Sequence, residues 1–298
     1  MPSNNDPAKD AESLEEAAAV FYAIRRRLFG IAYRMLGTVS EAEDILQDVW
    51  IRWQTYDRSK VHNAHAFLTT TTTRLAINAL QSARVRRETY VGPWLPEPVD
   101  TSSDPALGAE RGEALEVAVL MLLEKLTPTQ RAAYVLREAF DYPYEAIAEI
   151  IGQTTANVRQ LVSRARKLLA AGKRATVATA EHQRFLTAFI AAAKVGDVAA
   201  LEELFAQDVV SYSDGGGAVR ASKFPVEGRH RVARYYHAFA DRFWVGVTVE
   251  PVTVNGQAAM RLSREGNVIA VMTVNVTDEG IDRLMWIMNP SKLAGMAS

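Results

Sequence analysis

The sequence predicts a multidomain chain: two all-α domains, the second a helix-turn-helix, followed by an α+β domain. Three observations predict it. Apolar residues recur with a helical period from about residue 14 to residue 174, with one aperiodic gap at 91–109. Residues 126–169 carry caps, a turn glycine and a basic outer face at the spacing of two helices joined by a tight turn. From Trp244 to Met288 the pattern changes to alternation broken by turn residues, which is the signature of strands.

The 298 residues suffice for two or three cores, and 48% hydrophobic with 23% charged residues is a soluble globular composition. The N-terminal MPSNNDPAKDAESLEE lacks a signal peptide's apolar core, and no apolar run is long enough to span a bilayer. The expectation is therefore a cytoplasmic protein with no membrane partner. The absence of cysteine excludes disulfides and thiolate metal sites. A net charge of −1 conceals basic crowding at Arg84–Arg87 and Arg159–Arg174 and acidic crowding at Glu41–Asp48, a pattern that suits local contact with nucleic acid.

Residues 1–13 read as disordered, and 14–90 as an all-helical domain. Its first helix runs from Leu14 through Phe21, Leu28 and Met35 to Gly37. Ser40 with Glu43 predicts a capping box for the second, SEAEDILQDVWIRWQTY. There Ala42, Ile45, Leu46, Val49, Trp50 and Trp53 make an apolar face and leave Glu43, Asp44, Gln47 and Asp48 outward. A polar loop, Asp57–His62, leads to a helix that starts near Asn63 or Ala64, contains Phe67, Leu68, Leu75, Ile77 and Leu80, and ends in the basic run to Arg87. Residues 91–109 are a linker that contains WLPEP at 94–98.

The stretch 110–174 is the helix-turn-helix domain. Thr127, Pro128 and Gln130 predict a capped start, with Ala132, Ala133, Val135, Leu136 and Phe140 as its apolar face. A short helix follows from about Tyr144 to Ile151, with Ile147 and Ile151 turned inward, and Gly152 stops it. Thr154 or Thr155 caps a third helix anchored by Val158 and Leu161. Its outer face carries Thr155, Asn157, Arg159, Gln160, Ser163, Arg164, Arg166 and Lys167, with no acid between Thr154 and Arg174. Basic side chains supply phosphate contacts, and Asn, Gln and Arg can pair with base edges, so this helix is expected to read DNA. Residues 181–298 form the α+β domain: two helices broken at Gly196-Asp197, strands and a loop around SYSDGGGAV and Phe224-Pro225, a helix over 227–242, then a meandering antiparallel sheet.

With these elements in place the chain resembles a bacterial RNA polymerase sigma factor of the extracytoplasmic-function group. SEAEDILQDVWIRW resembles the helix that docks on the polymerase clamp, which implies core-polymerase contacts at Glu43, Asp44, Gln47 and Asp48. AHAFLTTTTTRLAINALQSARVRR resembles the helix that melts and reads the minus-ten element. That assigns DNA contact to Arg74, Asn78, Arg84, Arg86 and Arg87, while the loop residues Lys60, His62 and Asn63 are candidates for holding a flipped base. The helix-turn-helix resembles the reader of the minus-thirty-five element.

Residues 181–298 resemble a SnoaL-like cone domain, a curved sheet closed by helices around a pocket, as in the J-type subgroup of these factors. Three strings carry that resemblance: WLPEP, DGGG at 214–217 and NPSKL at 289–293, with Ser291 and Ala218 as departures. They imply an interdomain regulatory contact through Trp94, Leu95, Pro96, Glu97 and Pro98, through Asp214, Gly215, Gly216 and Gly217, and through Asn289, Pro290, Lys292 and Leu293. A Glu97–Lys292 pair is one expected contact. The implied function is that of an alternative sigma factor regulated in cis, without catalysis, cofactor or separate anti-sigma factor. His62 and His65 have no companion ligands, so no metal site is expected. The alternative is a helix-turn-helix regulator whose cone senses or transforms a small hydrophobic ligand. Asp214, His237, Asp241, Tyr212 and Trp244 are candidates to line such a cone.

Overall fold

The computed structural model describes residues 7–102, 115–172 and 177–296. They fall into two compact units: Met1–Arg84 with Leu126–Ala165, and Val85–Lys125 with Arg166–Ser298. This division regroups the expected segments. The helix-turn-helix shares a unit with the N-terminal helices, and the linker belongs with the C-terminal domain.

The first unit contains α1 (Pro7–Leu36), α2 (Val39–Thr55), a single 3-10 turn at Arg58–Lys60 and most of α3 (Ala64–Glu88). Helix α1 starts at Pro7, so the disorder expected over 1–13 does not extend over 7–13; residues 1–6 lie outside the described residues. Proline at the first helical position gives up an N–H that would have no intrahelical partner anyway. Helix α2 starts one residue before Ser40, so the expected Ser40–Glu43 box does not form. Thr38 is its extended N-cap residue, and the Thr38 hydroxyl donates to Glu41 at 2.7 Å. Glu43 pairs instead with Arg25 on α1. The buried face of α2 is Ala42, Ile45, Leu46, Val49 and Trp53, and the Trp53 indole N–H donates to the Ala17 carbonyl at 3.0 Å.

Helix α4 (Val117–Leu123) belongs to the second unit. The expected helix start at Glu110 and linker residues 103–109 lie outside the described residues. The helix-turn-helix follows as α5 (Pro128–Glu138), α6 (Tyr144–Ile151) and α7 (Thr155–Gly172). The reciprocal Thr127–Gln130 capping box is formed. Gly152 closes α6 at φ 65°, a conformation that costs a residue with a Cβ more than glycine. Thr154 accepts from the Asn157 N–H at 3.2 Å and so caps α7. Ile150 rather than Ile151 joins Ile147 in the core, and Val162 is buried with Val158 while Leu161 is only half-buried.

These helices share a polar seam with α1 and α3. Buried Arg131 donates to the Arg34 carbonyl at 2.9 Å, Arg27 to the Phe140 carbonyl at 3.0 Å, and the Thr69 and Tyr142 hydroxyls lie 3.2 Å apart.

The second unit is an α+β fold. Helices α8 (Thr179–Val195) and α9 (Val198–Leu204) lead into β1 (Phe205–Asp214) and β2 (Val226–Glu227). Then come α10 (Arg229–Phe243) and the meander β3 (Val247–Val254), β4 (Gln257–Arg264), β5 (Asn267–Thr277) and β6 (Gly280–Ile287), with α11 (Pro290–Leu293) after it. The sheet order is β2-β1-β6-β5-β4-β3. It is mixed rather than purely antiparallel, because β1 lies parallel to β6.

Period-2 alternation gives this sheet two buried faces. Helices α8, α9 and α10 cover one, with Phe189, Leu201, Val232 and Tyr236 over Leu262, Met272, Val274 and Trp286. The other holds Val254, Ala259, Val271, Met285 and Ile287, and is covered by Leu95 from the linker, Val117 and Ala118 from α4, and Leu293 and Met296. Among the described residues no helix is long and apolar enough to cross a membrane.

Candidate nucleic-acid interface and linker clamp

On α7 the side chains of Arg159, Gln160, Ser163, Arg164, Arg166 and Lys167 are exposed, while Thr155 and Asn157 are half-buried. The helix buries Val158, Val162, Ala165 and Leu169, so the apolar spacing points the polar set outward. Members of this set already have partners within the fold. Arg159 pairs with Glu145 at 3.2 Å and lies over the Tyr144 ring, and the Asn157 amide donates to Gln153 at 2.7 Å.

The acidic face of α2 presents Asp44, Gln47 and Asp48 to solvent. Beside them lies a groove of about 250 Å³ between α1 and α2, lined in part by Tyr22, Arg25 and Trp50. Tyr22 is 67% exposed there, an aromatic that the sequence reading passed over. Glu43 differs from its three companions because its carboxylate is taken by Arg25.

In the loop before α3, Lys60, His62 and Asn63 are exposed. Lys60 pairs with Asp57 at 2.9 Å, and hydrogen bonds from Ser59 and Lys60 hold the Asp57 carboxyl below its usual range. Asn63 accepts from the Ala66 N–H at 3.0 Å, so it caps α3. An open groove of about 570 Å³ runs beside this loop, with Arg52, Tyr56, Phe67 and Thr71 on its walls. Tyr56 and Phe67, with ring centroids 4.6 Å apart, offer stacking surface; the helical pattern had included Phe67 and left Tyr56 without a role.

Two expected DNA contacts are otherwise employed. Arg74 donates to the Ile150 carbonyl at 2.8 Å and the Glu149 carbonyl at 3.1 Å. These are last-turn carbonyls of α6, which lack intrahelical partners and form the negative end of the helix dipole, so a guanidinium fork suits them. Arg87 pairs with Glu124 and stacks 3.7 Å over the Trp94 ring, which places it in the linker clamp rather than on a DNA surface. Asn78 and Arg86 are exposed, and Arg84 is half-buried.

The clamp lies wholly within the second unit. Asp214, at the end of β1, is 0% exposed, and Lys292 is 5% exposed. Lys292 Nζ donates to Asp214 Oδ2 at 2.7 Å and to the Leu95 carbonyl at 2.5 Å. The Leu95 N–H donates to the same carboxylate at 2.8 Å, and the Tyr90 hydroxyl donates to its other oxygen at 2.6 Å. Asn289 donates to the Tyr90 hydroxyl at 2.8 Å and accepts from the Ser291 N–H at 3.1 Å. Lys292 also lies over the rings of Trp94 and Tyr90, at 4.4 and 5.0 Å.

The partner of Lys292 is therefore Asp214, not the expected Glu97. The pair is buried and cross-linked to linker backbone rather than exposed. Glu97 is itself buried, as are Pro96 and Pro98. Burial pushes the Lys292 ammonium below its usual range, and the Asp214 carboxylate acts against that shift. Burial, followed by the Asp214 acceptor, pushes the Tyr90 phenol up, so the hydroxyl stays protonated and keeps donating.

Two glycines of the DGGG string are pressed against the start of the linker, Gly216 against Tyr90 and Gly217 against Val91. Gly216 has φ 58°, and a Cβ there would collide with the Asn289 carboxamide and lie 2.9 Å from the Tyr90 hydroxyl. Farther along, the linker pairs with the sheet edge. Thr101 N–H donates to the Thr253 carbonyl, Val99 N–H to the Asn255 side chain and Asn255 N–H to the Val99 carbonyl, each at 2.9 Å. The Asn255 amide also donates to the Leu115 carbonyl at 2.9 Å. Tyr90, Glu124 and Asn255 are clamp residues that the sequence reading missed. The two departures from the subgroup strings, Ala218 and Ser291, are both exposed.

On the other face of the sheet is a cavity of about 210 Å³ walled by Tyr235, Tyr236, Phe239, Phe243, Trp244 and Trp286. Of the five residues expected to line a cone, only Trp244 does so. Asp214 belongs to the clamp, Tyr212 packs on the clamp face, His237 binds the Gly196 carbonyl and Asp241 is exposed.

A basic helix at the third position of a helix-turn-helix, joined in one unit to helices with an acidic outer face, defines a transcription-initiation protein of the sigma class. Residues 21–86 match sigma-70 region 2, and residues 116–169 match sigma-70 region 4. The chain is 34% identical over 289 residues to the ECF RNA polymerase sigma factor SigJ of Mycobacterium tuberculosis, covering 92% of each chain. It is 32% identical over 204 residues to the probable ECF RNA polymerase sigma factor SigI of the same species, covering 67% of this chain and 70% of that one. The crystal structure of Mycobacterium tuberculosis SigJ superimposes with a TM-score of 0.75 at 31% identity, covering 93% of this chain and 98% of that one. The chain belongs to the extracytoplasmic-function RNA polymerase sigma factors, which bind core polymerase and promoter DNA to direct initiation. The expectation that no separate anti-sigma factor acts on it gains no support from these relatives.

Proposed function

We propose that the second unit regulates sigma activity in cis by fixing the segment between the two promoter-reading regions. The observation that carries this reading is the buried Lys292–Asp214 pair with its two hydrogen bonds to Leu95 backbone. The chain passes between the units at 84/85, 125/126 and 165/166, so segment 85–125 separates region 2 from the helix-turn-helix. Holding that segment sets how much chain is available for the two regions to engage a promoter together. In the first unit, Arg74 is spent on α6 carbonyls. DNA engagement by Arg74 therefore requires α3 and α6 to part. The second unit acts as a regulator and not as an enzyme, and the protein works in the cytoplasm, where its promoters are.

The test is transcription by core polymerase from a cognate promoter, with Lys292→Met and Gly216→Val compared with the full-length parent. Both variants loosen the linker, and both should change transcript yield in the same direction. Unchanged yield from two folded variants would overturn regulation in cis.

Within this reading, Asp44, Gln47 and Asp48 dock on core polymerase, with Glu43 set back by its Arg25 pair. Asp44→Arg with Asp48→Arg should abolish co-elution with core while leaving the circular dichroism spectrum intact. On α7, Arg159, Gln160, Ser163, Arg164 and Lys167 read or grip the upstream promoter element. Arg164→Ala should cost about 1–3 kcal/mol of promoter affinity, with relaxed specificity if it contacts a base. The region 2 surface retains Lys60, His62, Asn63, Asn78, Arg84 and Arg86 as strand contacts, and loses Arg87 to the clamp.

A further inference from the structure

The aromatic cavity and the linker clamp occupy opposite faces of the same short stretches of strand. On β1, Ser213 lines the cavity and Asp214 holds Lys292. Opposite them on β6, Trp286 lines the cavity and Ile287 packs on the clamp face, in register with Ser213 and Asp214 respectively. Met288 then returns to the cavity and Asn289 to the clamp, and the Met288 N–H donates to the Asp214 carbonyl at 2.8 Å. The loop after β1 repeats this two-sidedness. Arg220, Ala221 and Ser222 wall the cavity, while Gly216 abuts Tyr90 and the Ser222 carbonyl faces Gly92.

The chemistry of the cavity is specific. Six aromatic rings wall it, and its deep polar groups are satisfied among themselves. The Trp286 indole donates to the Tyr236 hydroxyl at 2.8 Å, and that hydroxyl shares a hydrogen bond with Ser211 at 2.6 Å. The inner end therefore calls for an apolar ring rather than a polar group. About 210 Å³ exceeds the roughly 150 Å³ of an engineered apolar cavity that holds benzene, so one substituted ring or a fused pair fits. At the rim, Arg220 is exposed and pairs with no carboxylate among the described residues. A planar guanidinium at the mouth of an aromatic slot matches a carboxylate held in two hydrogen bonds. No carboxylate or imidazole is among the lining residues, so an acidic ligand meets no like charge there.

We propose that this cavity binds a small planar aromatic carboxylate, and that its occupancy is transmitted through β1, β6 and the 215–222 loop to the linker on the opposite face. The ring displaces cavity water and braces Trp286, Met288 and Ser213, while the carboxylate draws Arg220 and its loop toward the mouth. Each of these segments has its next residue in contact with the linker or with Lys292. The regulatory consequence rests on the cis-regulation reading above; the binding does not.

Calorimetric titration of the full chain with 2-naphthoate tests the binding. Saturable one-to-one binding is expected, weakened roughly ten- to hundredfold by Arg220→Gln or by substituting the neutral 2-naphthamide. Arg220 is exposed, so the variant keeps its fold; Ala221→Phe, which fills the mouth, should abolish binding independently. Absence of binding, or binding that neither variant alters, overturns the site. The same ligand should change amide hydrogen exchange over residues 90–102 in the parent and not in Ala221→Phe. Binding with unchanged linker exchange overturns the coupling. The clamp reading would still stand or fall on transcription by Lys292→Met, which needs no ligand.

Discussion

The recognition helix and the linker clamp draw on the same side-chain types and use them in opposite senses. On α7 the arginines and Gln160 face solvent, and the helix is held by Val158, Val162 and Ala165 beneath them. In the clamp, Asp214 and Lys292 face inward, and the fold is held partly by the polar groups themselves. An outward charge is solvated before and after folding, so its removal is felt mainly by a partner. An inward charge has given up water, so its removal strands whatever it was paired with. Function and stability should therefore separate on the outer face of α7 and be tied together in the clamp.

The largest expected effect breaks the inward set. Asp214→Ala leaves the Lys292 ammonium, the Tyr90 hydroxyl and the Leu95 N–H without their acceptor, and should lower unfolding free energy by about 3–5 kcal/mol in denaturant titrations. Asp214→Leu combined with Lys292→Met removes both charges and should recover much of that loss. If the double variant is worse than Asp214→Ala, the charges are not the reason for the loss. Next, Asn255→Ala strips the Val99 N–H and the Leu115 carbonyl of their partner, and should cost about 1–3 kcal/mol. It should also raise hydrogen exchange around Val99 and Leu115.

A smaller effect appears only in acid. His182 is buried, its Nε2 lies 2.9 Å from the Val274 carbonyl, and burial pushes its pKa down. The unfolded chain thus binds a proton that the folded chain resists, so stability is intact above the unfolded pKa of about 6.5 and falls as pH drops below it. His182→Gln should flatten that acid slope in thermal melts. Smallest of all, Glu145→Gln releases Arg159 from an exposed pair and should change stability by less than about 1 kcal/mol. A promoter titration would then read whether that glutamate had been competing with DNA for the arginine.

What the sequence made legible follows the same divide. The helix-turn-helix could be read because each element has a local signal: the Thr127–Gln130 box, Gly152 at the turn, the 3.6-residue recurrence of Val158, Val162 and Ala165. The meander could be read from alternation. The parallel pairing of β1 with β6 could not, because residues about seventy apart carry no mark of their adjacency. The clamp was partly visible through WLPEP, DGGG and NPSKL, but its wiring was not. Asp214 reads as one more turn residue until Lys292 is placed beside it, and Tyr90 and Asn255 lie outside all three strings. The resemblance to a promoter-melting helix assigned Arg74 and Arg87 to DNA, and it carries no sign of the partners that the fold gives them: the α6 carbonyls for Arg74, Glu124 and Trp94 for Arg87.

One face of the sheet bears on how such a domain can be moved between proteins. Residues 181–298 look like a portable module, yet Leu95, Val117 and Ala118 come from outside them and cover Val254, Val271, Met285 and Ile287. The same outside segment pairs with the open edge of β3 at Thr253 and Asn255. Transplanted alone, 181–298 would carry a bare apolar trough and an uncapped strand end, both invitations to self-association. The smallest piece that can be grafted onto a foreign sigma factor with its core intact is therefore discontinuous. It must bring 85–125 along, so an exchange of this domain between relatives has to exchange that segment as well.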